Sequence, residues 1–317
     1  MMWMTKVNFM MSDRYKKECS PFFTICIPTY NRARTLDRTL KSLEEQTYRD
    51  FEVLVVDDGS IDNTLEIVKK YLKLSIRYIR KQNGGKYTAL NIGIKEARGY
   101  MFVILDSDDW LIDYALEHMH RLWNEIAEKD RNMFSGIMGK CRNAADGKVI
   151  GNLFPKEKFI SSYVDFHFIS GPLNGGYGDC CECNRTEILK QYSFPELQGN
   201  SFVPEFYIFD QIGTKYKLLC TNEIFRQTEY LPDGMSMNAC VYYRKNYKGI
   251  LLGNVARLDI VFKNTKEKIS IRQKMQEWEI YWHWKKIVDI HNEGEKVGRI
   301  TIIGILAFIT WFWKLII

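Results

Sequence analysis

The chain has 317 residues, of which 46% are hydrophobic and 26% are charged. These proportions are those of a globular protein with a sizeable core, in one large domain or two small ones, rather than of a disordered chain. The net charge is +6, and residues 241–300 carry thirteen Lys/Arg against seven Asp/Glu. This basic, aromatic-rich C-terminal part favours an anionic membrane surface over nucleic acid as a partner.

The first twenty residues and the cysteines together indicate a cytoplasmic protein. Residues 1–20 read as an irregular extension without a long apolar segment, so no secretory signal is predicted. The eight cysteines are therefore expected to be reduced. Three of them cluster at Cys180, Cys181 and Cys183, but no second ligand pair follows, and we do not expect a zinc site there.

Apolar runs alternate with amphipathic segments from residue 22 onward. The predicted strands are 22–30, 51–56, 76–81 and 100–106, and the predicted helices between them are 35–46, 63–74 and 87–97. This alternation predicts right-handed βαβ units with a parallel sheet. Ligands of such sheets bind beyond the carboxyl ends of the strands, where this chain places its polar residues.

The remainder of the chain is less regular until its C-terminal part. We predict helices at 113–126 and 187–194, strand-like segments at 136–141, 148–154 and 216–230, a flexible loop at 171–178, and helices from about 241 onward. About 17 largely apolar residues close the chain, with Trp311, Trp313 and Lys314 among them. These residues are typical of a membrane interface, and we expect this tail to contact a membrane. The alternative is a buried C-terminal helix.

An acidic cluster follows the fourth predicted strand in the segment ILDSDDW. Asp106 and Asp108 have the Asp-x-Asp spacing that places two carboxylates on one side of an extended segment, and Asp109 is adjacent. Oxygen ligands of this kind suit Mg²⁺ or Mn²⁺, which take further ligands from water and substrate phosphates. The alternative is a solvated acidic turn at the surface.

Three other segments favour the ligand site over the surface turn. Asp57 and Asp58 end the second strand, where one of them could accept a hydrogen bond from a base or ribose. Tyr30 ends the first strand and could border a base. The segment NGGK at 83–86 combines two glycines, which permit close backbone approach, with a lysine at a predicted helix N-terminus, which suits a phosphate.

These motifs, in their order and spacing, resemble the family 2 inverting glycosyltransferases with the GT-A fold. The resemblance is specific over residues 22–115 and looser to about 237. It implies an α/β fold with a Rossmann-like, mostly parallel central sheet flanked by helices. The implied domains are an N-terminal extension (1–20), a GT-A domain (21–237) with a nucleotide-sugar half (21–115) and an acceptor half (116–237), and a helical, basic, membrane-associating C-terminal region (238–317).

The resemblance also implies a nucleotide-sugar donor, usually a UDP-sugar, and a divalent metal, Mn²⁺ or Mg²⁺. Asp106 and Asp108, the DxD motif, would bind the metal. The donor-binding residues carried over from the family are Pro28, Tyr30, Asp58, Lys86, Asn91, Asp106 and Ser107. The residues near the acceptor or the transferred sugar would be Asp109, Asp179 and Glu182.

An inverting transfer needs one general base for the acceptor hydroxyl. The segment NSFVPEFYIFDQI resembles the part of the family that carries this base, which places it at Glu205. Asp210 in the same segment and Asp179 in GDCCECN are the alternatives. Alternatively, each of these three acids is an exposed charge or part of a structural ion pair.

We therefore expect an enzyme on the cytoplasmic face of the membrane that transfers a sugar to a glycan or lipid-linked acceptor in cell-surface polysaccharide synthesis. One alternative is a non-catalytic carbohydrate-binding or assembly protein with the same fold. Another is a sugar-phosphate nucleotidyltransferase, which is disfavoured because the segment IPTYNRART lacks the glycines that such enzymes carry after their first strand. No nucleic-acid partner is expected, and the sequence leaves open whether the tail promotes homodimers.

Overall fold

The structure is a computed structural model, and it describes residues 5–9, 20–173, 175–290, 304, 307–309 and 311. The chain divides into two compact units. The first unit comprises Met1–Ser161, Gly175–Ser193 and Lys217–Leu231, and the second comprises Ser162–Asn174, Phe194–Tyr216 and Pro232–Ile317. Each unit is therefore assembled from three separate stretches of the chain.

The first unit is built on a mixed sheet, which has ten strands within the described residues. The strands are β1 (Thr5–Phe9), β2 (Phe23–Thr29), β3 (Phe51–Asp57), β4 (Ile76–Arg80), β5 (Met101–Ile104), β6 (Trp110–Leu111), β7 (Phe134–Asn143), β8 (Lys158–Ser161), β9 (Cys180–Arg185) and β10 (Lys217–Thr228). Their order is β1-β4-β3-β2-β5-β9-β7-β10-β6, and β8 also pairs with β10.

The helices are distributed over both units. They are α1 (Ala33–Glu44), α2 (Thr64–Val68), α3 (Lys86–Glu96), α4 (Ala115–Glu125), α5 (Tyr163–Phe168), α6 (Ser170–Leu173), α7 (Thr186–Leu189), α8 (Phe206–Gly213), α9 (Ala239–Lys245), α10 (Tyr247–Ala256), α11 (Phe262–Asn264) and α12 (Ile271–Ile290). A 3₁₀ helix (Glu128–Met133) follows α4, and a π-helical turn (Arg257–Val261) follows α10. Helices α1–α4 and α7 belong to the first unit, and the others belong to the second.

Strands β4, β3, β2 and β5 form the predicted parallel part of the sheet. Every residue of β2 is buried, and so is every residue of β3 after Phe51. Continuous apolar strands of this kind form where both faces of a parallel sheet are covered. Parallel pairing also aligns the carboxyl ends of the strands, so the residues that follow them meet at one edge.

The rest of the sheet differs from the mostly parallel arrangement that we expected. Only β10 and β7 add another parallel pair among the described strands, while β1, β6, β8 and β9 pair antiparallel with their neighbours. The cysteine cluster lies in β9, which inserts between β5 and β7. Its cysteines Cys180, Cys181 and Cys183 are buried as small apolar residues, which is the usual role of a free cysteine in a core.

Five local predictions were wrong in extent or type. Residues 5–9 of the predicted irregular extension form β1, which pairs with β4 at the edge of the sheet. In the predicted strand 148–154, pairing is confined to a single bridge between Val149 and Arg142. The helices predicted at 63–74 and 187–194 are shorter, and part of the predicted loop 171–178 belongs to α6.

The second unit is helical, as predicted for the C-terminal part. Its core packs residues of α10, the π-helical turn and α12 together, namely Leu251, Leu258, Trp278 and Tyr281, with Ala307. Among the described residues, no helix is both long enough and apolar enough to cross a membrane. Most of the predicted membrane-contacting tail, including Trp313 and Lys314, lies outside the described residues.

Candidate functional site

In the first unit, the predicted donor-binding residues lie in β2, in the loops at the carboxyl edge of the parallel strands β2, β3 and β5, and in α3, which follows β4. Pro28 is buried within β2 opposite Val56 of β3. Tyr30 follows β2 directly, and its side chain is 46% exposed. An aromatic ring that is half exposed at the carboxyl edge of a sheet is accessible for stacking on a base.

Asp58 is buried, and it fixes the glycine loop that follows β4. Its carboxylate accepts hydrogen bonds from the backbone N–H groups of Gly84 (2.9 Å) and Gly85 (2.7 Å) and from Asn83 Nδ2 (3.1 Å), and it forms an ion pair with buried Lys81. Its contacts with the glycine loop therefore give Asp58 a structural role in addition to any contact with a ligand.

Asp57 is also held within the protein. Its carboxylate accepts a hydrogen bond from the backbone N–H of Ser60 at 2.7 Å and another from the hydroxyl of Tyr78. These bonds organise the turn after β3, in which Gly59 adopts a left-handed φ of 87°. Such a backbone conformation favours glycine, so the DDGS motif is explained in part by the turn itself.

The glycine loop leads directly into α3. Gly85 precedes the helix with a φ of 96°, which an L side chain rarely adopts. Lys86 is the first residue of α3, and Asn91 lies half-buried one and a half turns later. The N-terminus of an eleven-residue helix with a lysine beside it is a favourable environment for a phosphate.

Lys86 also contacts the acidic cluster. Its Nζ atom lies 2.6 Å from Oδ1 and 2.9 Å from Oδ2 of Asp106. Burial alone would raise the pKa of Asp106, but the charges of Lys86 and Arg226 hold this pKa below its usual value. Asp106 is therefore ionised at neutral pH, and an internal cation already offsets its charge.

Asp108 is in a different electrostatic situation. Burial, together with the nearby charge of Asp106, raises the pKa of its carboxyl group, against smaller opposing effects of Arg32 and Lys86. A carboxylate whose ionisation is disfavoured in this way gains from an added cation. Asp106 and Asp108 are hard oxygen donors, which suits Mg²⁺ or Mn²⁺.

These two carboxylates would supply only part of a coordination sphere. No group of three or more His, Cys, Asp or Glu side chains suited to a metal occurs among the residues that the structure describes. A divalent ion at Asp106 and Asp108 would therefore complete its sphere with water and ligand oxygens, as Mg²⁺ commonly does. Ser107 between them is buried.

Asp109, the third acid of the cluster, has an internal partner. Burial raises its pKa to about 7, although the guanidinium group of Arg226 opposes the shift. Arg226 Nε lies 3.2 Å from Oδ2 of Asp109, and another guanidinium nitrogen donates to the carbonyl of Cys180 at 3.2 Å. Arg226 thus ties the acidic cluster to β9 and β10. No motif in the sequence points to Arg226, because it lies 117 positions from Asp109.

The predicted acceptor-side residues of the first unit lie in or beside β9. Asp179 precedes this strand, and its carboxylate accepts a hydrogen bond from the hydroxyl of Tyr230 at 2.9 Å. Glu182 is half-buried within β9, opposite Met138 of β7. Tyr230 is a second residue that the sequence analysis missed.

The other two candidate bases belong to the second unit. Glu205 is half-buried and immediately precedes α8. Asp210 is fully buried within α8, where its carboxylate contacts His167 Nδ1 at 2.5 Å and Arg257 Nε at 2.7 Å. Burial would raise the pKa of Asp210, but His167 and Arg257 hold it below its usual value. A buried carboxylate that is bonded to Arg257 and His167 has the environment of a structural ion pair, so the geometry favours Glu205 over Asp210.

Comparison with known proteins connects these motifs to one family. Residues 24–176 match the family model described as glycosyl transferase family 2. An uncharacterized glycosyltransferase of Rickettsia prowazekii is 38% identical over 117 residues, which are 37% of this chain and 36% of the relative. Chondroitin synthase of Pasteurella multocida is 34% identical over 155 residues, which are 47% of this chain and 16% of that enzyme. The matched part thus spans about a third or less of the length of these relatives.

Solved structures share the fold across more of the chain. The S. aureus TarS fragment 1–349 in complex with UDP-GlcNAc has a TM-score of 0.59 at 20% identity, covering 84% of this chain and 72% of that structure. Mannosyltransferase PcManGT from Pyrobaculum calidifontis, in complex with GDP-Man and Mn²⁺, has a TM-score of 0.53 at 15% identity. The match covers 95% of this chain and 82% of that structure. Taken with the motifs at the carboxyl edge of the sheet, these matches show that residues 24–176 are similar to the glycosyltransferases of family 2, and that the chain shares the fold of the solved structures.

Proposed function

We propose that the protein transfers a sugar, with inversion, from a UDP-sugar to a glycan or lipid-linked acceptor. The observation that carries this proposal is the carboxyl group of Asp108. It lies two residues from Asp106 in the loop after β5, at the carboxyl edge of the parallel strands, and burial together with the charge of Asp106 raises its pKa. A nucleotide-sugar with its cation would supply the missing positive charge and oxygen ligands.

The glycine loop and α3 would bind the diphosphate of the donor. The bonds of Asp58 to Gly84 and Gly85 hold this loop in place before any ligand arrives. Lys86 would exchange part of its contact with Asp106 for a phosphate oxygen. Tyr30 would border the base, because it is the exposed aromatic ring at the end of β2.

A Mn²⁺ or Mg²⁺ ion held by Asp106 and Asp108 would supply positive charge to the departing diphosphate. Glu205 would accept the proton of the acceptor hydroxyl, which becomes the nucleophile at the anomeric carbon. The glycosidic bond would form on the face opposite the leaving UDP, so that the configuration inverts. Asp179 and Glu182 would contact the acceptor or the transferred sugar.

The similarity to chondroitin synthase supports polysaccharide synthesis as the setting of this reaction. The structural neighbours named in complex with UDP-GlcNAc and with GDP-Man and Mn²⁺ support a nucleotide-sugar donor and a divalent metal. The basic, aromatic C-terminal part supports action at the cytoplasmic face of a membrane. We place the acceptor there, as a membrane-borne glycan or glycolipid.

Titration of UDP into the protein, with Mn²⁺ or with chelator, tests the proposal. We expect Mn²⁺-dependent binding in the wild-type protein and a loss of at least about tenfold in affinity for Asp108→Asn, because a carboxylate ligand is removed. Asp113→Asn is the matched control, since Asp113 is an exposed acid five positions further along the chain. Equal UDP affinity in Mn²⁺ and in chelator would overturn the proposed metal role.

A further inference from the structure

One side of helix α1 is hydrogen-bonded to the backbone of the acidic cluster and of the residues that follow it. Three polar side chains of α1 and one that lies two residues beyond its end form hydrogen bonds with main-chain groups between residues 108 and 116. The bonds run from Arg38 to the carbonyl of Asp108 (3.0 Å), from Thr39 to the carbonyl of Asp109 (2.7 Å), from the N–H of Leu111 to Ser42 (3.2 Å), from Gln46 to the carbonyl of Ile112 (2.7 Å) and from the N–H of Leu116 to Gln46 (3.1 Å).

The order of these contacts is the same in both segments. Successive positions along α1 meet successive positions along the chain after β5, and the backbone N–H of Thr47 continues the series by donating to the carbonyl of Asp113 at 2.9 Å. Residues at i, i+4 and i+8 lie on one side of a helix, which explains why Arg38, Ser42 and Gln46 can act together.

Three of these polar side chains are buried among the leucines of the core face of α1, and Arg38 is half-buried. Thr39 and Gln46 are fully buried, and Ser42 is 4% exposed. Buried polar groups are costly unless they are hydrogen-bonded, so the contacts satisfy the side chains and the loop backbone at the same time. An apolar helix could also pack against this loop, but apolar contacts are not directional. They would not fix the position of the loop along the helix axis.

Arg38 makes the most elaborate contact of the series. Its guanidinium group donates to the carbonyl of Asp108, pairs with Glu229 at 2.7 Å and lies 3.7 Å from the ring centroid of Trp110. Three chain segments therefore meet at one planar side chain. Lysine could not reproduce this arrangement, because it lacks both the fork of donors and the flat stacking surface.

We propose that α1 sets the position of the metal-binding carboxylates of the acidic cluster, and that Arg38 and Thr39 are the positioning residues. This inference rests on the proposed function of Asp106 and Asp108. Arg38 and Thr39 hold the carbonyls of Asp108 and Asp109, and the N–H of Asp109 donates to the carbonyl of Asp106 at 3.0 Å. The backbone on both sides of the Asp108 side chain is thereby fixed before the ion arrives, which favours tight metal binding.

The hydroxyl of Thr39 can be tested with a matched set of three variants. Thr39→Val removes the hydroxyl at nearly constant volume, and Thr39→Ser keeps it. Thr35→Val makes the same change one turn earlier, where the hydroxyl bonds only to the carbonyl of Arg32 in the same helical segment. The readout is the Mn²⁺ concentration that gives half-maximal binding of UDP, measured where all variants are folded.

We expect Thr39→Val to raise this Mn²⁺ midpoint about tenfold, as is typical when a partner of a metal ligand is lost. Thr39→Ser should restore the wild-type midpoint, and Thr35→Val should leave it unchanged. Arg38→Lys is the second test: the midpoint should rise although the charge is kept. UDP affinity at saturating Mn²⁺ should change less than the midpoint, because the nucleotide contacts are not altered.

The outcomes separate the inference from the function on which it rests. If the wild-type protein binds UDP without any dependence on Mn²⁺, the proposed metal role of Asp106 and Asp108 fails, and the inference fails with it. If the wild-type protein shows the dependence but Thr39→Val and Arg38→Lys have the same Mn²⁺ midpoint as Thr35→Val, the inference is overturned and α1 only stabilises the fold.

Discussion

Lys86 Nζ lies within 2.9 Å of both carboxylate oxygens of Asp106, so the first acid of the cluster already has a cation. Asp108, two residues later, has a raised pKa. The two carboxylates are therefore unequal in the protein without ligand, although the Asp-x-Asp spacing makes them look equivalent. In the proposed function, Lys86 would therefore compete with a metal for Asp106 and attract the diphosphate of a donor.

Lys86→Met should separate these two effects. We expect the variant to bind Mn²⁺ alone more tightly than the wild-type protein, because a positive charge next to Asp106 is removed. It should bind UDP in saturating Mn²⁺ about tenfold more weakly, since a charge-assisted hydrogen bond to phosphate is lost. Both affinities are measurable by calorimetry.

Lys95→Met is the control for this experiment, because Lys95 is exposed on the same helix. It should leave both affinities unchanged. Weaker binding of Mn²⁺ alone by Lys86→Met would contradict the competition between Lys86 and the metal.

Glu205→Gln tests the assignment of the general base. We expect the rate of sugar transfer to fall by about two to four orders of magnitude, because the amide cannot take the acceptor proton. Mn²⁺-dependent UDP binding should remain, since Glu205 takes no part in it. Glu196→Gln, at an exposed acid in the same unit, should transfer at the wild-type rate. If Glu205→Gln transfers sugar at the wild-type rate, Glu205 is not the general base, and Asp179 or Asp210 is the next candidate.

Asp210→Asn tests the ion pairs of the second unit through stability. At pH 7 we expect the free energy of unfolding to fall by about 3 kcal/mol, because Arg257 and His167 lose a buried anionic partner. The pKa of Asp210 is held below its usual value, so its contribution is present above about pH 4, where the unfolded chain is ionised, and is lost as the pH falls through the folded-state pKa.

The difference between wild type and Asp210→Asn should therefore shrink on acidification below pH 4, as measured by urea unfolding. Asp259→Asn is the comparison, because Asp259 is half-buried and pairs with the exposed Lys263. That pair should contribute less than about 1 kcal/mol. A difference for Asp210→Asn that stays constant from pH 7 to pH 3 would show that the charge of Asp210 does not stabilise the fold.

Gly136→Ala tests the unpredicted position of β9. A Cβ atom at Gly136 would lie 1.9 Å from the carbonyl oxygen of Cys183 in β9. Because this neighbour is backbone within a sheet, it cannot move aside without disturbing the pairing. We expect a loss of about 3 kcal/mol in unfolding free energy, at the upper end of the usual cost of overpacking. A loss below about 0.5 kcal/mol would contradict the close approach of β7 and β9.

The sequence could predict the parallel half of the first unit because its signals are local. Apolar runs such as 51–56 end in Asp57 and Asp58, and their periodicity and turn residues lie within a few positions of one another. The antiparallel half could not be predicted in this way. Strand β9 pairs with β5 and β7, which lie about 80 and 45 positions earlier, and its cysteines read equally well as core residues or as ligands.

The same distinction applies to the site. Asp106, Asp108 and Lys86 are visible in motifs, whereas the partners that set their charges and positions are distant in sequence. Arg226 contacts Asp109 across 117 positions, and Arg38 contacts Asp108 across 70. One signal was available: Thr39, Ser42 and Gln46 are polar residues on the leucine-rich face of α1, and buried polar residues imply a specific partner.

Sugar transfer from a UDP-sugar is tested most directly by measuring UDP release. The purified full chain in detergent is given a panel of UDP-sugars, with Mn²⁺ and with chelator. We expect slow hydrolysis of one donor in Mn²⁺, none in chelator, and none with Asp108→Asn. If the protein binds UDP in a Mn²⁺-dependent manner but releases no UDP from any donor, alone or with added glycan and glycolipid acceptors, it is a binding protein on this fold and the proposed transfer is wrong.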